Sequence, residues 1–407
     1  MQVRITGVEF RNYKALRRFS LSLQDINVLV GPNNCGKSTI IGAFRALSAG
    51  LRLARARNPE RIVLQDEVFR GYRIPEEQLA ISTENVHTDY SDEESSVVFR
   101  LNNGNKLRLL FPRSHGCLLT FETRAPKFVG SPKTFRAEFP ISVSVVPVLG
   151  PLEHDEEIVT QPTIQRNLHT HRASRHFRNY WYYYPDGFGD FADLIRQTWP
   201  GMEIEKPEQV DNDRLRMFCK ENRMTRELYW SGFGFQIWTQ LLTHIHRAKD
   251  ESILVIDEPE IYLHPDVQRQ LLGILRSLGP DILVATHSTE MMSEADPSDI
   301  VLIDKARHSG ERLRDIAGIQ EALDLVGSIQ NITLARLARS RRVLYVEGGD
   351  DFSFIAQFAR LAGLRDLGDA TDLAPVPTGG FSNWQRIRDV AWGINKALAA
   401  RGASLDS

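Results

Sequence analysis

An α/β fold is predicted by three stretches of the sequence. Residues 27–44, NVLVGPNNCGKSTIIGAF, read as an apolar strand, a tight Gly/Asn loop and an amphipathic helix. Residues 253–258, ILVIDE, are an apolar strand that delivers two carboxylates to its end. One helix later, VATHS is a second apolar strand ending in polar residues. Strands alternating with helices, with chemistry gathered at strand ends, are the pattern of α/β ligand sites.

At 407 residues the chain exceeds what one hydrophobic core fills, so two or more domains are expected. A composition of 42% hydrophobic and 25% charged residues is ordinary for a globular protein. The net charge of −2 neither demands nor excludes nucleic acid, so any basic groove must be local. The cations are mostly Arg, whose planar fork suits phosphate better than Lys does. Cys35, Cys117 and Cys219 are widely spaced, form no metal pattern and suggest a reducing compartment. The N-terminus is strand-like and charged, unlike a secretion signal, and no apolar run approaches the length of a membrane span. A cytoplasmic protein with no membrane partner is expected.

Taken in order, VRITGVEF, FSLSL and INVLV alternate as strands, and a helix runs from about Lys37 to Arg55. Residues 60–150 resemble an insertion: SSVVFRLNNGNKLRLLF is a hairpin about NNGN, with further strands in CLLTFET and FPISVSVVPVL. From 151 to 250 the pattern is helical, with an aromatic and basic cluster near 165–184. Strand–helix alternation returns over 251–305, and a new strand, RRVLYVEGGDD, starts at 341.

Gly31 to Ser38 fit G-x-x-x-x-G-K-S/T at every fixed position, the pattern of a P-loop. Gly31, Asn33, Asn34, Gly36 and Thr39 belong to a loop and helix start whose N–H groups wrap nucleotide phosphates, ATP being the expected ligand. Lys37 is expected to reach the β- and γ-phosphates and Ser38 to ligate Mg²⁺. Asp257 is the expected second Mg²⁺ carboxylate, mainly through water, and Glu258 the group that polarises the attacking water. His287, at the next strand end, is positioned to contact a γ-phosphate. Ser231 and Gly232 open an amphipathic helix and present a hydroxyl and N–H groups to an anion.

The P-loop lies near residue 31 and the acidic strand beyond residue 250, a split characteristic of the RecF/SMC-like branch of ABC-type ATPases. In such ATPases a segment like SGFGFQIW precedes the acidic strand and completes the site of a second molecule. By that resemblance Ser231, Gly232 and Gln236 serve a partner's nucleotide, with Phe233 where many members have Gly. Together GPNNCGKST, SGFGFQIW, LVIDEPEIYLHP and ATHS resemble the OLD (overcoming lysogenization defect) family of ATPase-nucleases over residues 1–335. The resemblance implies an ATPase domain over 1–335, with about 60–250 inserted, acting as a homodimer or higher homo-oligomer on DNA. It also makes EIYLHPDVQ a D-loop-like stretch, with His264 and Pro265 near the dimer contact. The resemblance further implies a role in defence against bacteriophage, with an accessory defence protein or nucleic acid as a partner.

RVLYVEGGDDFSFIAQFARLAG is similar to the opening of a Toprim domain, a strand, then E-G-x-x-D, then a helix. Glu347, Gly348 and Asp351 match, and residues 340–407 are expected to form the N-terminal part of such a domain. Glu347 is then catalytic, and Glu347 with Asp351 a Mg²⁺ pair. No D-x-D ends an apolar strand after Asp351, so a cleavage-competent site is not assembled from these residues alone. The expected function is a dimeric ATPase gating a nuclease. The competing expectation is a non-nucleolytic ATP-dependent clamp or sensor on DNA. Arg166, Arg172, Arg175 and Arg178, interleaved with Tyr180, Trp181 and Tyr182, fit DNA contact, nucleotide sensing or a basic helix packed on the core.

Overall fold

The computed structural model describes residues 2–313 apart from 65–66, 80–84, 91–92, 114–115, 169, 171, 211–212 and 222. Beyond them it describes 343–346, 354–355, 357–359, 361–362 and 374–377. The chain divides into two compact units, residues 1–295 with 299–311, and residues 296–298 with 312–407.

The first unit opens with strands β1 (Ile5–Tyr13), β2 (Leu16–Ser22) and β3 (Ile26–Val30), then helix α1 (Lys37–Ala56). There follow β4 (Glu60–Leu64), β5 (Glu67–Ile74), β6 (Ser95–Leu101), β7 (Lys106–Phe111), β8 (Cys117–Glu122), α2 (Pro132–Glu138) and β9 (Val143–Val145). The expected hairpin about NNGN is β6–β7, with Ser95 opposite Phe111 and Arg100 opposite Lys106. Residues 60–122 are woven into the domain. They complete one seven-stranded antiparallel sheet in the order β2-β1-β6-β7-β8-β5-β4. Of FPISVSVVPVL, only Val143–Val145 pairs as a strand, and it joins a different sheet.

The middle of the chain departs from a purely helical reading. It contains β10 (Glu156–Glu157), α3 (Gln161–Asn167), α4 (Phe177–Tyr183), α5 (Phe188–Thr198), β11 (Met202–Ile204), β12 (Glu208–Gln209), β13 (Arg214–Arg216), β14 (Phe218–Glu221) and β15 (Met224–Glu227). The strands form two small sheets, β10-β13-β12 and β11-β14-β15. Strands of two to four residues are too short to show a two-residue period.

Helix α6 (Phe233–Arg247), β16 (Ile253–Asp257), α7 (Pro265–Arg276), β17 (Asp281–Ala285), α8 (Thr289–Glu294) and β18 (Ile300–Leu302) restore the alternation, and β19 (Glu311–Arg312) follows. The central sheet runs β19-β18-β3-β17-β16-β9. Its pairs β18–β3, β3–β17, β17–β16 and β16–β9 are all parallel. Helix α1 is buried almost all round, with Ala43, Ala46 and Ala49 spaced along one face. It lies against β9, β16 and β17 on one side and β5 and β8 on the other. One apolar core, containing Phe10, Phe44, Phe99, Val255 and Leu283, therefore joins both sheets through this helix. A second core, with Trp181, Phe191, Trp238, Leu254 and Leu271, packs the helices on the other face of the central sheet.

In the second unit, β20 (Val343–Val346) pairs in parallel with β21 (Ala374–Pro377), Val343 opposite Ala374 and Val346 opposite Pro377. Among the described residues no helix is long and apolar enough to cross a membrane.

A candidate nucleotide site at the ends of three parallel strands

Because β3, β17 and β16 are adjacent and parallel, whatever follows each of them emerges at the same edge of the sheet. The loop after β3 is Gly31–Gly36, the residues after β17 are Thr286 and His287, and β16 ends in Asp257 before Glu258. The topology thus brings the loop at 31–36 together with Asp257, Glu258 and His287, which lie more than 200 residues further along the chain.

The loop has little freedom. A Cβ on Gly31 would lie 2.4 Å from the Ile303 carbonyl oxygen and 2.8 Å from Cys35 Sγ, so no side chain fits there. Gly36 has φ 112° and Asn34 φ 66°, conformations that Gly adopts freely and Asn tolerates. Gly36 caps α1 without any side-chain bond, so the first-turn N–H groups of Lys37, Ser38 and Thr39 are offered to an anion. Lys37 is buried, and its Nζ donates to the carbonyl oxygens of Gly31 at 2.7 Å and Pro32 at 3.2 Å. Asn33, Asn34 and Ser38 are exposed at the rim.

On the opposite side, Asp257 Oδ2 pairs with Arg45 Nη2 at 3.3 Å. Its Oδ1 is buried and has no hydrogen-bond partner among the described residues. Burial pushes the Asp257 carboxyl up, the Arg45 guanidinium pulls it back, Glu258 and Glu260 push it up again, and Lys37 opposes them. Glu258 sits at φ 48°, unusual for a non-glycine residue, with its N–H donating to the Ala285 carbonyl at 2.8 Å. Its Oε1 lies 3.6 Å from His287 Nε2. Burial and the nearby Lys37 ammonium hold His287 below its ordinary value, with Glu258 and Glu260 opposing, so the ring is neutral at neutral pH.

Two groups that sequence reasoning did not single out belong here. Arg45 is a charge set among apolar neighbours on α1, a signal visible in GAFRAL. Glu260, the last acid of DEPE, accepts the His287 N–H at 2.6 Å through Oε1 and so ties the turn after β16 to the end of β17. The same turn is braced by Gln268, whose amide donates to the carbonyl oxygens of Leu263 at 2.7 Å and Glu260 at 3.3 Å.

The helix opened by Ser231 and Gly232 is as expected: Gly232 caps α6 without a side-chain bond and is exposed. Gln236 lies inward of that exposed helix start. It is buried, its Nε2 donates to the carbonyl oxygens of Tyr229 at 2.7 Å and Ser231 at 3.1 Å, and its Oε1 accepts from Leu152 N at 3.1 Å. Its role is to shape the turn that presents Ser231 and Gly232. Phe233 meets Tyr262 edge-on at 4.5 Å, joining that turn to the stretch after β16, where Ile261 and Tyr262 are exposed. His264 caps α7, with Pro265 in the first turn.

The aromatic and basic cluster divides. Arg178 is fully buried between Glu156, at 3.2 Å, and Glu227, at 2.6 Å, and Trp181 is core. Arg175 pairs with Glu153 at 3.0 Å, while Arg166 and Arg172 are exposed. Glu347 and Asp351 lie outside the described residues.

The donors fit a metal–nucleotide complex. The uncapped helix start suits a phosphate, and the Ser38 hydroxyl and the unpartnered Asp257 Oδ1 are hard oxygen donors of the kind Mg²⁺ takes.

A family model described as "AAA domain, putative AbiEii toxin, Type IV TA system" matches residues 26–293. The Old nuclease of Escherichia phage P2 is 21% identical over 394 residues, covering 85% of this chain and 67% of that protein. An SMC head bound to the C-terminal winged-helix domain of ScpA superposes with a TM-score of 0.51 at 13% identity, covering 76% of this chain and 96% of that one. The recombination mediator RecF gives 0.44 at 11% identity, over 77% and 98%. The resemblance to the OLD family is thereby found again by comparison, and the fold is shared with an SMC head, as the sequence predicts.

Proposed function

From the premise that the chain belongs to the AAA_21 family of AAA domains, we propose that it binds and hydrolyses ATP as a dimer. We further propose that this cycle gates a Toprim nuclease acting on DNA, in defence against bacteriophage. The observation that carries the reading is the convergence of Lys37, Asp257, Glu258 and His287 at one edge of the central sheet.

Lys37 exchanges its loop carbonyls for the phosphates, and the α1 N–H groups bind the same oxygens. Mg²⁺, when bound through Ser38 and Asp257, neutralises charge on the phosphates. Glu258 orients and polarises the attacking water, and His287 keeps a neutral ring beside it. Ser231 and Gly232 serve the nucleotide of a second copy.

The nuclease half has two supports. The likeness to a protein named a nuclease supports it, as does the parallel pairing of β20, which ends just before Glu347, with β21. Glu347 and Asp351 are its proposed Mg²⁺ carboxylates. The test is phosphate release and plasmid nicking side by side, with Lys37→Ala and Glu347→Ala. ATPase activity lost only in Lys37→Ala and nicking lost in both supports gating. ATPase activity with DNA binding but no nicking at any chain length points to the clamp. Full ATP affinity in Lys37→Ala overturns the nucleotide site.

A further inference from the structure

We infer that Arg45 is a positioning residue for the metal carboxylate: it holds one oxygen of Asp257 so that the other is presented to Mg²⁺. The inference rests on the nucleotide reading above. Its basis is the unequal use of the two carboxylate oxygens. Oδ2 is bound to Arg45 Nη2 at 3.3 Å, whereas Oδ1, which is buried, has no partner among the described residues. A buried acceptor left without a donor is costly unless something else fills the place.

The arrangement follows from α1. That helix begins with Lys37 and Ser38, and Arg45 lies two turns further on, roughly 12 Å along the axis at about 1.5 Å per residue. One rigid element thus carries the phosphate lysine, the metal hydroxyl and the guanidinium that fixes the second metal ligand. The side chains of Arg45 and Asp257 are only 22% and 15% exposed, so the pair is shielded from salt. Metal-ligating carboxylates are commonly oriented by such outer partners, which act on the ligand and not on the metal.

The opposite reading is that Arg45 is a stand-in cation that Mg²⁺ must displace. A guanidinium in that role is expected to take both oxygens in a fork. The single contact at Oδ2 and the vacant valence of Oδ1 favour positioning. The two readings predict effects of opposite sign.

The experiment compares wild type, Arg45→Gln and Arg45→Lys. Affinity for a non-hydrolysable ATP analogue is measured by calorimetry in EDTA, and Mn²⁺ affinity of the analogue-bound protein by the paramagnetic resonance of free Mn²⁺. The expected result is a loss of Mn²⁺ affinity in Arg45→Gln of roughly 10- to 100-fold, the range for outer-shell partners. A much smaller change is expected in EDTA. Arg45→Lys should lie between, since an ammonium reaches one oxygen without the planar fork. It also keeps the test decisive if the Gln variant fails to fold. Unchanged or tighter Mn²⁺ binding in a folded variant overturns the inference. No analogue binding by wild type, with or without Mn²⁺, instead overturns the nucleotide reading, and the inference with it.

Discussion

Glu258 Oε1 stands 3.6 Å from His287 Nε2, one residue at the end of β16 and the other at the end of β17. The separation is too long for a direct hydrogen bond and suits two groups that share a water. Glu258→Gln should therefore bind ATP within about threefold of wild type and hydrolyse it roughly 10²- to 10⁴-fold more slowly, the usual span of a general base. Calorimetry and single-turnover phosphate release measure the two quantities. Equal loss of both would mean that Glu258 binds and does not activate.

The same variant tests assembly. Ser231 Oγ donates to the Leu228 carbonyl at 2.6 Å, which orders the turn, while Gly232 lies in open space. An uncapped, exposed helix start is free to meet the phosphates of a second copy. Glu258→Gln should sediment as a dimer with ATP, and adding Ser231→Arg should return it to monomer without loss of ATP binding. A monomer in both, with ATP bound, rules out the shared site.

What was legible in the sequence was contiguous. GPNNCGKST, VIDE and VATH each carry their chemistry within a few residues, and each lies at a strand end where an apolar run stops. What escaped depends on partners far along the chain. Arg45 acquires its meaning from Asp257, 212 residues away, and Gln236 from Leu152, 84 residues away. β9 reads as part of a longer strand because Ile141 and Val146 continue its apolar run, yet only three residues pair with β16. Arg178 illustrates the limit from the other side, since an Arg among aromatics has the same pattern whether it faces DNA or two buried carboxylates.

Arg178 is the centre of that buried network. Its guanidinium binds Glu156, Glu227 and the Glu153 carbonyl, and its own N–H donates to Glu156 Oε2 at 3.0 Å. Arg178→Ala leaves two carboxylates without their cation, which should cost about 3–5 kcal/mol. Burial already pushes the Glu156 carboxyl up, against Arg178 and Asn179. Losing the cation raises it further, so the deficit should shrink as the solution is acidified and the carboxyl becomes neutral. Urea unfolding of both proteins across pH gives the answer. A deficit that grows on acidification would show that the network is not held by charge.

Asp281 supplies a pH signature remote from the chemistry. It begins β17 and is held by Arg4 Nη2 at 3.2 Å, while Arg4 also pairs with Asp25 ahead of β3. Burial raises the carboxyl, Arg4 lowers it and Asp25 raises it, leaving it at about 6. A carboxyl whose folded value lies above its unfolded value of about 4 binds its proton more tightly in the fold. Its contribution to stability is therefore complete below about pH 4 and is lost as pH rises through 6, since the native state binds more protons there. Asp281→Asn cannot ionise and keeps the size and shape of the side chain beside Arg4. The variant should match wild type near pH 4 and be the more stable protein at pH 7, by roughly 1 kcal/mol once solvent screening of this half-buried group is allowed for. Above pH 7 the two should run parallel. β3 and β17 carry the P-loop and His287 at their far ends, so ATP hydrolysis should not change with Asp281. Thermal unfolding from pH 4 to 8 on both proteins is the measurement. Parallel curves throughout would mean that Arg4 holds Asp281 ionised down to acid pH, with the paired charges outweighing burial.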